Sequence, residues 1–225
     1  MLLLHTADWH LGRAFHGEDL LGAHAAWVDW LVGLARAERP DAVVVAGDLY
    51  DRAIPPVDAI RLADDALARL AEVAPVVVIS GNHDSAQRLR FAAPLLARCG
   101  LHVRTDPARS GEPVRVGDGL VYAVPYLEPD LCRGALGCEE RGHGAVLAAA
   151  LALVRTDLAR RPARTPSAVV AHAFVAGADG CDSERELVAV GGAASVPASL
   201  AWVISCQAAP PAVSTGLYGI QGVQL

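Results

Sequence analysis

Four short apolar runs, at 2–4, 42–46, 76–79 and 168–171, each stop abruptly in a cluster of polar residues, and a weaker fifth lies at 202–204. Unbroken runs of this length read as strands covered on both faces, because a half-exposed strand would alternate apolar with polar residues. Helical patterns fill the gaps between them. Trp27, Trp30, Leu31 and Leu34 fall on one helix face, as do Ile60, Ala63, Leu67 and Leu70. Pro55-Pro56 stands just before the second helix, where proline is tolerated, and the Ala- and Leu-rich stretch 142–160 predicts a third. Gly117-Asp118-Gly119, between two alternating runs, predicts a hairpin. No internal repeat is present, and the alternation of strands with helices predicts a layered α/β domain.

The chemistry lies in the residues just after each strand. Beyond the first comes "HTADWH", with Asp8 and His10 spaced so that both side chains point the same way in extended backbone. Beyond the second comes "AGDLYD", with Asp48 beside Gly47. The third ends in "SGNHD", with Asn82 and His83, and the fourth leads into "VVAHAFVAG", with His172. Open α/β sheets place ligands at the carboxyl ends of their strands, so these groups are expected to converge on one crevice. Carboxylate, amide oxygen and imidazole without thiolate make a mixed O/N set suited to Mn, Fe or Zn. Asp48 is placed to bridge two ions roughly 3.5–4 Å apart, the spacing of two-metal phosphoryl chemistry. Taken singly, Asp8 is a turn cap, Gly47-Asp48 a turn, and His10 or His172 a packed histidine. The ordered set, each member after its own strand, is what argues against the bland readings. Asp51 and Asp84 are expected to support the ligands from behind. His5, His16, His24, His102 and His143 read as ordinary residues.

Composition narrows the class. At 53% apolar and 20% charged over 225 residues, the chain folds rather than staying disordered. All 19 basic residues are Arg, and the net charge of −6 gives no general electrostatic grip on nucleic acid, although carboxylates that hold metal count as negative in that sum. Five scattered cysteines without a CxxC pair fit free thiols in a reducing compartment. The opening "MLLLHTADWH" lacks the basic region of a signal peptide, so a cytoplasmic protein is expected. Residues 201–225 carry no charge, but Pro210-Pro211 and several Gly, Ser and Gln argue against a membrane span.

The order D-x-H, G-D-x-x-D, G-N-H-D, H resembles the calcineurin-like metallophosphoesterases. The flanks "HTADWHLGRAFHG", "GDLYDRAIPP", "GNHDSAQRLRF" and "VYAVPYLEPD" resemble, within them, the SbcD-type nuclease subunits. The resemblance implies a layered α-β-β-α sandwich over residues 1–200, incomplete at its C-terminal end, followed by a divergent tail at 201–225. It implies two divalent ions, Mn²⁺, with Asp8 and His10 on the first, Asp48 shared, and Asn82 and His172 on the second. His83 then serves as the catalytic acid, beside the scissile phosphate. Hydrolysis of DNA phosphodiesters in repair and recombination, as exonuclease and endonuclease, in a homodimer partnered with an SbcC-type ATPase, is the implied activity. Arg13, Arg52, Arg88 and Arg90 flank the motifs and are candidates for DNA phosphate contacts, with solvated surface arginines the alternative.

The pattern then departs from the family. No histidine follows His172, and Cys206-Gln207-Ala208-Ala209 stands where G-H-x-H belongs. Each ion is expected to lack one ligand, which predicts weak metal binding and little activity. The capping region and the helices that dock on the ATPase have no counterpart in these residues. Two other readings therefore stay open: a phosphoesterase for small phosphodiesters, and a truncated or degenerate, catalytically weak member.

Overall fold

The computed structural model describes residues 1–173 and the backbone of 218–221. In chain order the elements are β1 (Leu3–Ala7), β2 (Ala14–Phe15), β3 (Glu18–Asp19), α1 (Leu21–Glu38), β4 (Ala42–Ala46), α2 (Val57–Ala71) and β5 (Val76–Ile79). They continue with α3 (Ala86–Leu89), α4 (Ala93–Leu96), β6 (Leu101–Arg104), β7 (Val114–Val116), β8 (Gly119–Val124), α5 (Pro129–Cys132), α6 (His143–Leu158), β9 (Ser167–Ala171) and β10 (Tyr218–Gln221). A five-stranded sheet runs β10-β1-β4-β5-β6, all parallel, and a three-stranded sheet runs β7-β8-β9.

The unbroken apolar runs follow from where the strands sit. Along β4, Val43 and Val45 face α1 and α2 while Ala42, Val44 and Ala46 face the second sheet. In β5, Val76 and Val78 face the helices, and Val77 and Ile79 meet Val114, Val121, Ala123 and Val170 between the sheets. The outer face of the second sheet (Leu120, Tyr122 and Val124) packs on Val146, Leu147, Ala150, Leu151 and Val154 of α6. The layers are therefore helix, sheet, sheet, helix, as expected. Both faces of β4 and β5 are buried, so no position is left for a polar residue. The Tyr122 hydroxyl reaches the layer's edge and donates to Asp157 at 2.7 Å.

The predicted hairpin is present, with Val116 opposite Gly119 and Gly117 at φ +56° in its turn. Two helix faces need correction. Trp30 is 51% exposed and Ile60 45% exposed. The buried stripe of α1 is His24, Trp27, Val28, Leu31, Val32 and Ala35, and that of α2 is Ala59, Ala63, Ala66 and Leu70. Alanine carries α2 against the core, so most of its larger apolar side chains lie on its flanks. The short strand β6 and the helices α3 and α4 have too few apolar repeats to be legible in the sequence. β10 lies parallel to β1, with Leu4 opposite Tyr218. The expected strand at 202–204 lies outside the described residues, as does most of the 201–225 tail.

Candidate metal centre

Parallel strands bring their carboxyl ends to one edge, and β1, β4 and β5 open their polar loops there. The first two loops continue the sheet beyond its strands. Asp8 N donates to the Gly47 carbonyl (3.1 Å), His10 N to that of Asp48 (3.0 Å) and Leu11 N to that of Leu49 (3.0 Å), and Asp51 N returns to the Leu11 carbonyl (3.2 Å). The third loop is tied in by Asp84. Its carboxylate accepts from the backbone N–H of Leu49 (3.1 Å), Tyr50 (3.0 Å) and Gly81 (2.9 Å). Burial pushes the Asp84 carboxyl up, and those three donors oppose it. From the second sheet, Tyr126 N donates to the Ser80 carbonyl (2.8 Å), which holds the end of β8 against the same loop.

Within this frame the backbone is strained where the candidate ligands sit. Asp8 (φ 57°), His10 (φ 45°) and Asp48 (φ 49°) are three of the six non-glycine residues with positive φ among those described. Such conformations cost about 1–3 kcal/mol each and persist where surroundings over-determine them. The glycines of the motifs are there for space. A Cβ on Gly81 would overlap the Asp48 carboxylate and backbone N, and one on Gly47 would overlap the His172 ring.

The side chains converge on one oxygen. Asp48 is buried, and its Oδ1 accepts the His83 backbone N–H at 2.8 Å. That bond leaves Oδ2 facing Nε2 of His172 (3.7 Å), His10 (3.8 Å) and His83 (4.0 Å). Those distances are too long for hydrogen bonds and leave room for a cation between nitrogen and oxygen. Two of the rings are oriented from behind. His172 Nδ1 lies 2.8 Å from the Ala46 carbonyl, and His83 Nδ1 lies 2.8 Å from the Asp51 carbonyl. A carbonyl only accepts, so each Nδ1 carries the proton, and in the neutral ring Nε2 presents a lone pair to the cleft. His172 Nε2 also lies 3.0 Å from Asn82 Oδ1, so a lone pair faces an oxygen. His10 Nδ1 is buried with no hydrogen-bond partner among the described residues, 3.8 Å from Asp51 Oδ1. Burial, the largest effect, drives the His10 pKa down to about 4, with Asp48 opposing. Nitrogen lone pairs gathered around a carboxylate fit a divalent cation.

Two overlapping groups meet the spacing for metal binding, with ligand atoms within 4.8 Å of one another: His10, Asp48 and His83, and Asp8, Asp48 and His172. Asp48 is common to both. Asn82, His83 and His172 thus lie together with Asp8 and His10, and Asp51 and Asp84 stand behind them. Gln207 and Ala209 lie outside the described residues. Of the flanking arginines, Arg52, Arg88 and Arg90 are exposed and Arg13 is half-buried beside His10. Three side chains were not anticipated. His143 and Tyr126 form a ring contact (centroids 5.7 Å apart), and Tyr126 in turn lies edge-on to His172 (6.2 Å). His24 is buried, its Nδ1 without a hydrogen-bond partner among the described residues, near Asp19, Asp51 and Arg13. Its only sequence signal was a polar residue within the apolar stripe of α1.

Residues 1–124 match the family model described as calcineurin-like phosphoesterase. The SbcD subunit of the nuclease SbcCD from Staphylococcus saprophyticus is 38% identical over 128 residues, 56% of this chain and 34% of that protein. The chain thus matches about a third of that curated relative's length. Among solved structures, the Thermus thermophilus protein TT1561 is 16% identical with a TM-score of 0.46, over 82% of this chain and 72% of that one. The nuclease MPE of Pseudomonas putida is 22% identical with a TM-score of 0.30, over 56% and 54%.

Proposed function

The chain belongs to the calcineurin-like phosphoesterase family, and we propose that it hydrolyses DNA phosphodiesters with two bound divalent cations, Mn²⁺. The observation that carries this reading is the convergence of three imidazole Nε2 atoms, at 3.7–4.0 Å, on one oxygen of Asp48. In it, Asp8 and His10 hold one ion, Asn82 and His172 the other, and Asp48 both. When bound, the ions would lower the pKa of a water and neutralise charge developing on the phosphoryl group.

The protein's own groups set up the rest. The His83 backbone N–H fixes the Asp48 carboxylate so that one oxygen is kept for the cleft. The Asp51 carbonyl holds the Nδ1–H of His83 and aims its Nε2 at the same cleft. With both nitrogens protonated, Nε2–H is the proton His83 delivers to the leaving oxygen, a role worth about 10²–10⁴ in rate. Asp84 locks the loops carrying Asp48 and His83 to each other. Arg13, Arg52, Arg88 and Arg90 take DNA phosphates around this centre.

The context we propose takes from the relative's name only that it is a subunit of the nuclease SbcCD. From the resemblance of the motif flanks it adds a role in repair and recombination, with exonuclease and endonuclease action, partnered with an SbcC-type ATPase in the cytoplasm. Among the described residues no helix is long and apolar enough to cross a membrane, and Cys99, Cys132 and Cys138 are free thiols. A homodimer is part of this reading, and the exposed apolar side chains Ile54, Val57, Phe91 and Leu95 offer surface for it. Residues 1–200 form the catalytic domain in this reading.

One observation favours a weaker molecule: Cys206-Gln207-Ala208-Ala209 stands where the resemblance places G-H-x-H. In this second reading the ions bind poorly and turnover is slight. Mn²⁺ titration calorimetry, followed by Mn²⁺-dependent cleavage of duplex DNA against a small phosphodiester, tests both. Preference for DNA supports the nuclease, and preference for the small ester overturns it. Weak binding by a folded chain, recovered in Gln207→His/Ala209→His, supports the second reading.

A further inference from the structure

One strand beyond the candidate centre, the charge on the rim reverses. β6 is the edge strand, and its last residue, Arg104, pairs with Ile79, the last residue of β5 before the Ser80–Asp84 loop. Beside it a groove of about 200 Å³ opens between β6, α4 and the turn at 107–109. Arg90, Arg104 and Arg109 line it, with His102 and Asp106. Burial holds His102 below its ordinary pKa, so it adds no charge at neutral pH.

The carboxylates nearby do not meet the demand of these guanidiniums. Arg109 takes Glu112 with two hydrogen bonds, at 2.8 and 2.6 Å. Arg104 shares that carboxylate only at 4.0 Å, beyond hydrogen-bond reach. Arg90 lies 3.8 Å from Asp106, whose Oδ1 already accepts the Ala108 N–H. Arg104 is only 20% exposed and has no hydrogen bond from its guanidinium among the described residues. Burial, the largest effect, and neighbouring Arg109 push its pKa down, with Glu112 opposing. A half-buried guanidinium fork whose only carboxylate among the described residues lies beyond hydrogen-bond reach and is shared with Arg109 calls for a planar or tetrahedral oxyanion, and phosphate is the common one. The volume is below the 300–1,000 Å³ usual for whole drug-sized ligands, and suits a phosphate with part of a sugar.

We propose that this groove, one strand along from the metal centre and sharing Arg90 with the arginines assigned to DNA above, is a further phosphate-binding site with Arg104 and Arg109 as its fork. The phosphate belongs either to a nucleic-acid strand passing along the rim or to a free phosphate or nucleotide. The test uses the full chain in EDTA, so that it does not depend on the metal centre. Anisotropy of a labelled single-stranded oligothymidylate is read against salt, with inorganic phosphate as competitor. Arg104→Gln is expected to weaken binding about tenfold and to lower the salt slope by about 0.7, one phosphate contact on a single strand. Arg109→Gln, half-exposed and safe for folding, should weaken it about threefold, and Arg61→Gln on α2 should leave it unchanged. Competition by phosphate in the wild type, lost in Arg104→Gln, assigns the free ligand. Weakened oligonucleotide binding without competition assigns the strand. Equal affinity in wild type, Arg104→Gln and Arg109→Gln overturns the proposal, as does no binding of either probe by the folded wild type. Failure of Mn²⁺-dependent cleavage would strike the nuclease reading and leave this result standing.

Discussion

Two neighbouring stretches of one sheet edge differ in how much backbone they commit to their side chains. At the ends of β1, β4 and β5, three candidate ligands sit at positive φ, two loops are zipped together by N–H···O=C bonds, and a third is pinned by Asp84. At the end of β6, the arginines stand on long stems with ordinary backbone and partly exposed heads. Over-determined positions hold polar atoms to tenths of an ångström, which metal and proton transfer need. Flexible guanidiniums adjust to a ligand that varies. A rim can thus carry a built site and an adaptable one a strand apart, and their substitutions should fail differently, abruptly at the first and by degrees at the second.

The harshest break should come from Asp48→Ala. It removes the oxygen on which three imidazoles converge, and Mn²⁺ affinity by calorimetry should fall more than the roughly 10–100-fold typical of losing a supporting residue. Hydrolysis should vanish with it. Retention of two tight sites in this variant would remove Asp48 from the centre. His83→Gln is the next largest and separates ligand from acid. If His83 delivers the proton, kcat falls about 10²–10⁴-fold while Mn²⁺ affinity changes little; a parallel loss of affinity would make it a ligand.

The contrast in backbone is tested by two glycines. Gly81→Ala places a methyl against the Asp48 carboxylate and backbone, so thermal unfolding should show a loss of about 1–3 kcal/mol together with weaker metal binding. Gly33→Ala, in α1 with nothing near its Cβ position, should instead stabilise by about 0.5–1 kcal/mol. Equal effects at the two positions would refute the over-determined frame. The gentlest probe is pH. His10 titrates near 4 in the folded chain against an ordinary value of 6.5, and His5, His24 and His102 are also lowered by burial. Between pH 6.5 and about 4 the unfolded chain binds protons that the folded chain refuses, so stability is full above 6.5 and declines as pH falls through that window. Melting temperatures in EDTA should trace this, and the decline should be shallower in His10→Asn.

The layers and the candidate centre are legible in the sequence for a common reason. A strand buried on both faces must be apolar along its whole length, so its end is marked by the first polar residue. In parallel strands those ends share an edge. That is why Asp8, His10, Asp48, Asn82, His83 and His172 stand out along the chain. Trp30 and Ile60 mislead because size and apolarity suggest burial, whereas α2 packs through Ala59, Ala63 and Ala66. His24 and the Arg104 groove are not legible, since a single His in a helix and scattered arginines have many harmless explanations.

By itself the sequence determined the strand ends, the order of the motifs and the kind of donors they carry, because each depends on local polarity and spacing along the chain. Only the tertiary structure decided that Asp48 offers one oxygen to three imidazoles, that the Ala46 and Asp51 carbonyls fix which nitrogen faces the cleft, and that Arg104 lacks a hydrogen-bond partner among the described residues. Each of those depends on distances between residues far apart in the chain, and only the packed sheets bring them together.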